Sequence, residues 1–247
     1  MEAPTPYEFA TLVRPRPPPA AADGLPPAGL PTAGHAGRID WEHLLKRRRA
    51  VLDHARLPPY LLLPEVRDLL ALTLHSNHHL LLSTLWHTGA RISEALTLTP
   101  KSFCLDEKDA YVSLTTLKKR GRPRGGVQSP AARMVPLRDP VYLRDLQRYL
   151  TTHKLRVTDR LFDVTRQAVD LRLRKLAQDY RAHHGAALSV DLSAHTFRHS
   201  FAVNAVLHGV PLTVLQAWLG HSNLQTTAIY TQVLTSETGH LMASVEF

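Results

Sequence analysis

Three short stretches of the chain hold the side chains best suited to gripping a phosphate. The first is His87-Thr88-Gly89-Ala90-Arg91-Ile92-Ser93-Glu94-Ala95-Leu96. Gly89 makes a sharp junction between two helices and Arg91 follows at once, so a packed turn would hold its guanidinium as a rigid phosphate ligand. The second is His195-Thr196-Phe197-Arg198-His199-Ser200-Phe201-Ala202. His195 and Arg198 stand three apart and share one helical face, while Phe197 and Phe201 share another that points to a core. One face anchors the helix; the other presents a proton carrier beside a cation. The third is Leu219-Gly220-His221-Ser222-Asn223, followed by Thr226-Thr227-Ala228-Ile229-Tyr230. His221 sits at a helix-ending glycine and Tyr230 near the end of the next short helix. Taken singly, each has an ordinary reading: Arg91 as a surface ion-pair residue, Tyr230 as a half-buried packing residue.

The elements that must position these residues follow from the pattern of apolar and breaking residues. Nine of the eighteen prolines fall between Pro4 and Pro31, so residues 1–38 read as largely irregular, with Tyr7, Phe9, Leu12 and Val13 available for local packing. Asp40 can cap a helix to about Arg56 that carries Lys46, Arg47, Arg48 and Arg49 in a row. That run is either a solvated face or a set of phosphate contacts. Pro58-Pro59 closes the segment. Beyond it the spacing predicts a helix from Pro64 to Leu74, an apolar and therefore central helix over His79–His87, and another from Ile92 that ends before Pro100. Ala110–Thr116 alternates as a strand does, and Arg133–Leu137 is a second. Between them runs a basic loop with Lys118, Lys119, Arg120, Arg122 and Arg124. Helices are expected at about 141–154, 165–183, 195–208, 211–219 and 223–231, with Gly209 and Gly220 at positions that favour positive φ and Pro211 in a first helical turn. The fold class is therefore mainly α with a small antiparallel β-sheet or hairpin.

Bulk properties narrow the partners. The chain has 247 residues, 30 Lys and Arg against 21 Asp and Glu, and a formal charge of +9, a balance that favours a polyanion. Its one cysteine, Cys104, excludes an intramolecular disulfide and suits a reducing cytoplasm. The leucine-rich stretches are broken by His, Glu, Arg and Asp, so no membrane span is expected. The histidines are scattered without metal-ligand spacing; His183-His184 reads as a surface pair at a helix end, and neither metal nor cofactor is expected.

Together the three boxes resemble the tyrosine recombinase, or phage integrase, family. Its catalytic signature is Arg, Lys, His-x-x-Arg, His or Trp, and Tyr, and Arg91, His195, Arg198, His221 and Tyr230 match it in order. The resemblance covers about residues 60–235 as a catalytic domain. It implies that Tyr230 attacks a DNA phosphodiester and forms a 3′-phosphotyrosine, leaving a 5′ hydroxyl. Arg91 and Arg198 would stabilise the charge of the transition state, and His221 would hydrogen-bond the phosphate. His195 would accept or orient the tyrosine proton. The covalent bond conserves the energy of the broken one, so no ATP is needed. The family's lysine, the general acid for the leaving oxygen, lies on the hairpin; Lys118 is the first choice because it directly follows the strand, with Lys119 the alternative. Lys119, Arg120, Arg122 and Arg124, together with Lys46, Arg47, Arg48 and Arg49, are the expected DNA contacts.

The resemblance also implies double-stranded DNA as partner, a tetramer on paired sites, and either resolution of multimers or exchange between two sites. Relatives carry a separate helical core-binding domain. Fewer than 60 residues precede the catalytic domain here, so residues 39–59 read as a basic helix and linker with the core-binding domain reduced or absent, the alternative to a reduced clamp being an accessory DNA-binding protein or the protein's own oligomer. Two other readings share these residues: a type IB topoisomerase-like nicking and closing enzyme, and a DNA-binding protein without catalysis. The C-terminal segment 236–247 is apolar at Leu241, Met242, Val245 and Phe247. It can fold back on its own domain or dock on a neighbouring protomer.

Overall fold

The computed structural model describes residues 39–55, 57–106, 108–116 and 132–236. Residues 1–38, the basic loop with Lys118, Lys119, Arg120, Arg122 and Arg124, and residues 237–247 lie outside this set. From Asp40 on, the described residues belong to one compact unit. It is mainly helical with a three-stranded antiparallel sheet, as the pattern predicts.

The first helix, α1 (Trp41–Ala55), starts where Asp40 accepts a hydrogen bond from the His43 N–H at 2.9 Å. Its basic run does not form one uniform face. Lys46 and Arg47 are exposed, but Arg48 is only 3% exposed. The guanidinium of Arg48 is bidentate on Glu65, with further hydrogen bonds to the Tyr60 carbonyl and the Ser189 hydroxyl. Arg48 therefore corrects the expectation that it contacts DNA: it is buried and both terminal nitrogens are bonded inside the protein, while its Nε is buried without a partner among the described residues. Leu44, one turn earlier on the same side, is buried too, which is why position 48 turns inward.

Next come α2 (Leu63–Leu72) and α3 (Ser76–Thr88). Leu80, Leu81, Leu82, Leu85 and Trp86 of α3 are all buried, so this helix is central, as its all-round apolar character demands. Its buried hydroxyls are satisfied within the helix: Thr84 donates to the Leu80 carbonyl at 2.8 Å and Thr88 to the Thr84 carbonyl at 2.6 Å. The helix expected from Ile92 is one turn long, α4 (Ile92–Ala95). A short 3-10 turn at Pro100–Ser102 leads into β1 (Phe103–Cys104), which pairs antiparallel with β2 (Tyr111–Thr115). Two residues are too few to show alternation, so β1 had no sequence signal. The β2 strand pairs in turn with β3 (Ala132–Pro136), placing Leu114 opposite Arg133.

The remaining helices are α5 (Pro140–Thr152), α6 (Arg166–His184), α7 (Ala194–Leu207), α8 (Leu212–Leu219) and α9 (Gln225–Ala228). Pro211 stands just before α8 rather than within its first turn. The helix expected over 223–231 is instead the single turn of α9 followed by a 3-10 helix, Ile229–Ser236, that carries Tyr230. Packed against α7 are α3, α6, α8 and the 3-10 helix, which makes α7 the second axis of the core. Its Phe197 is fully buried; Phe201 is half-buried and packs against the core beside Trp218. No helix among the described residues is long and apolar enough to cross a membrane.

Candidate active site

A left-handed glycine ends α3 and aims the chain into the site. Gly89 has φ +59°, and a Cβ there would collide with the ring of Phe201. Both the conformation and the close approach to α7 require glycine. Arg91 follows as the N-cap of α4, and Glu94 answers from the first turn: its carboxylate accepts from the Arg91 N–H at 2.8 Å and from Arg91 Nη1 at 3.0 Å. The same carboxylate takes both terminal nitrogens of Arg133 from β3, at 2.9 and 2.7 Å. Burial pushes the Glu94 carboxyl up, but the hydrogen bonds and charges of Arg133 and Arg91 outweigh it and hold it below its ordinary value. Arg133 also donates from Nε to the Trp218 carbonyl at 2.6 Å. The base of the hairpin, the Arg91 turn and the end of α8 are thus tied through one buried ion cluster.

Arg198 is the hub. It rises from α7, is 4% exposed, and donates to the Gly89 carbonyl from one side and to the Leu219 carbonyl at 2.6 Å from the other. A third hydrogen bond, 3.1 Å, runs to Nε2 of His221. One side chain therefore touches all three sequence boxes. Burial, then Arg91 and Arg133, lower its pKa to about 10, so the guanidinium still carries its charge at neutral pH. Arg91 keeps 36% of its side chain exposed, leaving donors free for an anion from outside.

His221 follows Gly220, whose φ of +63° turns the chain after α8. Its Nε2 accepts from Arg198, which puts the ring proton on Nδ1, where it donates to the Thr227 hydroxyl at 3.0 Å. Burial and the charges of Arg198, Arg91 and Arg133 bring its pKa down to about 4, so it is neutral at pH 7. Tyr230 is 1% exposed, and burial, eased by Arg198, raises its hydroxyl to about 12. That hydroxyl lies 2.7 Å from Nδ1 of His199.

The structure thus joins Arg91, Arg198, His221 and Tyr230. His195 stands at the start of α7 on the exposed side, its ring 6.4 Å from that of His199, and makes no hydrogen bond among the described residues. Burial, Arg166, Arg198 and Arg91 lower its pKa, with Asp170 opposing them. Lys118 and Lys119 lie outside the described residues, although Arg133 and Thr116 at the hairpin base reach the Glu94 cluster. Sequence reasoning assigned no role to Glu94, Arg133, Thr227 or His199. Glu94 had a readable signal, an acid three residues after Arg91 at a helix start. The others owe their place to contacts distant in sequence.

The chain matches the phage integrase family over residues 62–237. It is 37% identical over 234 residues to a resolvase of Escherichia coli K12, a match that covers 87% of this chain and 84% of that protein. It is 30% identical to the tyrosine recombinase XerD of Pasteurella multocida, covering 76% of this chain and 62% of the relative. Among solved structures, the XerH site-specific recombinase bound to its difH substrate superposes with a TM-score of 0.57 at 24% identity, covering 76% of this chain and 55% of that one, a likeness of fold. With the hub of Arg198 joining three boxes in the family's order, the chain belongs to the phage integrase family and is a tyrosine recombinase catalytic domain.

Proposed function

We propose that the protein recombines double-stranded DNA at specific sites by cleaving and rejoining strands through a 3′-phosphotyrosine at Tyr230. The observation that carries this reading is Arg198, a buried cation bonded to backbone on both sides and set beside the half-open Arg91. A buried guanidinium fixed by carbonyls needs no reorganisation to meet developing negative charge. Arg91 and Arg198 bind the non-bridging oxygens, and His221, turned by Thr227, completes the cradle. Tyr230 attacks phosphorus, and the 5′ oxygen leaves with a proton from Lys118 or, if the register differs by one, Lys119. His195, at the exposed start of α7, accepts or orients the tyrosine proton. Exposed Lys46 and Arg47, with Arg49 and the loop residues Lys119, Arg120, Arg122 and Arg124, hold flanking phosphates.

The resolvase name of the E. coli relative supports separation of joined DNA copies as the outcome. The work is done in the cytoplasm by four protomers on two paired sites, with an accessory DNA-binding protein or α1 helping to clamp the duplex. The test uses nicked suicide duplexes tiled from the DNA flanking the gene. Wild-type protein should accumulate a covalent adduct, and Tyr230→Phe should bind equally well and give none. An adduct formed by the Phe variant removes Tyr230 from the role.

A further inference from the structure

The phosphate cradle has a cation behind it as well as two inside it. Arg133 stands on β3 two residues before Val135, so both side chains project from one face of the sheet, the face that Val135 buries in the core. Only 9% of the arginine side chain is exposed. Its Nε donates to the Trp218 carbonyl, and a Cβ on Gly220 would lie 3.0 Å from its Cδ. The side chain is thus anchored under the end of α8, and its two terminal nitrogens fork onto Glu94, one on each carboxylate oxygen. Parallel charge-assisted bonds of this kind are the strong ones. Arg91 is left with less of the carboxylate: one terminal nitrogen on Oε1 at 3.0 Å, besides its backbone N–H on Oε2. The Nε and second terminal nitrogen of Arg91 meet no acceptor among the described residues, and over a third of that side chain is open to solvent.

We propose that Arg133 is a positioning residue for the reaction: by filling Glu94 it keeps the Arg91 guanidinium from being captured there and leaves it for the phosphate. This rests on the covalent reading above. Arg91 and Glu94 stand three residues apart at the start of α4, close enough to form a fork on their own. Without Arg133 the second carboxylate oxygen has no side-chain partner. Nothing then opposes a two-pronged Arg91–Glu94 pair, and a phosphate must displace a carboxylate in order to bind. The Arg48–Glu65 fork shows, in the same molecule, the form such a pair takes when no second cation shares the carboxylate. With Arg133 in place the charge of Glu94 is already neutralised, and the charge that faces the substrate is that of Arg91 and Arg198. The bond to Trp218 and the contact beneath Gly220 fix the angle from which Arg133 approaches Glu94. Arg133 touches no reacting atom and acts only through Glu94.

The experiment is single-turnover cleavage of the suicide duplex at saturating protein, with DNA affinity and thermal melts measured alongside. It compares wild type with Arg133→Gln, with Arg133→Gln plus Glu94→Gln, with Arg91→Ala, and with Arg91→Ala plus Arg133→Gln. Arg133→Gln should cleave about 10–10²-fold more slowly, the scale of a lost hydrogen bond to a charged group. Duplex affinity, which flanking phosphates dominate, should stay within about threefold. Adding Glu94→Gln removes the competing charge but keeps an acceptor for the Arg91 N–H, and should recover most of the lost rate. In the Arg91→Ala background Arg133→Gln should cost little further rate, because the side chain it protects is gone. A wild-type rate in Arg133→Gln overturns the proposal. So does a loss that Glu94→Gln does not relieve, or one that multiplies in full with Arg91→Ala, the mark of a packing role. If Arg133→Gln alone does not fold, the decision passes to its combination with Glu94→Gln, which buries no unpaired carboxylate. Cleavage by that protein within about tenfold of wild type supports the proposal, and cleavage as slow as Arg91→Ala overturns it. Absence of any adduct with wild-type protein overturns the covalent reading itself. An adduct with wild type and a rate indifferent to Arg133 leaves that reading standing and removes Arg133 alone.

Discussion

Two buried glutamates meet arginines in this molecule, and they are put to different uses. Glu65 faces Arg48 one to one: the pair is sealed from solvent, and the arginine's terminal nitrogens also reach the Tyr60 carbonyl and the Ser189 hydroxyl, leaving only its Nε without a partner among the described residues. Glu94 is equally buried but serves Arg133 and Arg91 together, and Arg198 stands close behind them. Three guanidiniums against one carboxylate leave a surplus of positive charge, and the arginine that keeps its outer face in solvent is Arg91. The first cluster closes its electrostatics and ties α1 to the domain. The second leaves them open, which is costly in an empty site and useful only if an anion arrives. Surplus charge, rather than buried charge itself, separates the candidate catalytic cluster from the structural one.

The largest effects should come from the surplus side. Arg91→Ala removes a half-exposed side chain while Glu94 keeps both contacts from Arg133, so the thermal midpoint should stay near wild type. Cleavage should nevertheless fall by about 10²–10³-fold, the scale for loss of one transition-state donor. Arg198→Ala should lose at least as much rate and stability as well, because the Gly89 and Leu219 carbonyls and His221 lose their common donor. Single-turnover cleavage together with thermal melts checks both. An Arg91→Ala protein that unfolds would put Arg91 in the same class as Arg48 and erase the distinction.

On the sealed side, Glu65→Ala leaves Arg48 buried without its counter-charge. The expected loss is about 3–5 kcal/mol of unfolding free energy. Cleavage per folded molecule should not change. Arg48→Met combined with Glu65→Gln should recover more than half of that loss, since the amide can still accept from the Leu62 N–H that Glu65 now serves. Denaturant titration measures both. If the double variant is no more stable than Glu65→Ala, the pair is worth more than its removal by apolar packing.

That contrast also marks where sequence was readable. The family was, because Arg91, Arg198, His221 and Tyr230 stand in boxes whose order is one-dimensional information. So was most of the helical frame, from the Asp40 cap to the left-handed Gly209 and Gly220. Arg48 was not, because four consecutive basic residues look alike until a partner 17 residues away selects one. Its signal was the pair Leu44 and Arg48 on one side of the helix, an apolar residue one turn before a cation. The contact between His199 and Tyr230 was equally hidden. Which of two histidines on α7 meets Tyr230 depends on how the 3-10 helix packs, 31 residues downstream. Even the 3-10 geometry of that helix was unforeseen, since Thr226 to Tyr230 carries no breaker to rule out an ordinary α-helical turn.

Acid should weaken the open cluster in two steps. His199 and His221 are both held near 4 in the folded protein, below the ordinary histidine value of 6.5. A lowered folded pKa means the unfolded chain binds the proton first, so this contribution is complete above 6.5 and fades as pH falls toward 4. Glu94 acts lower: its stabilisation is present above 4.5 and is lost as pH drops through its depressed folded value. Melting midpoints measured from pH 8 to 4 should decline below 6.5, and the decline should flatten in His199→Asn and His221→Asn. A profile that is level down to pH 4.5 in wild type removes the histidines from the account.

The smallest effect should be on α1. Lys46 pairs with Glu42 at 2.7 Å, but both side chains are mostly in solvent, so the pair contributes little to stability. Lys46→Ala should melt with wild type. If α1 lies along the duplex, the same substitution removes one phosphate contact, and the slope of log affinity against log salt should shrink by about one. Arg47→Ala should behave alike, being exposed on the same helix. Arg48 supplies the internal control, because a buried guanidinium releases no counterion. In Arg48→Met with Glu65→Gln the salt slope should stay at the wild-type value while Lys46→Ala and Arg47→Ala reduce it. Equal slopes in all three would mean that α1 faces away from DNA, and the neutral pair and the exposed run would then differ in burial alone.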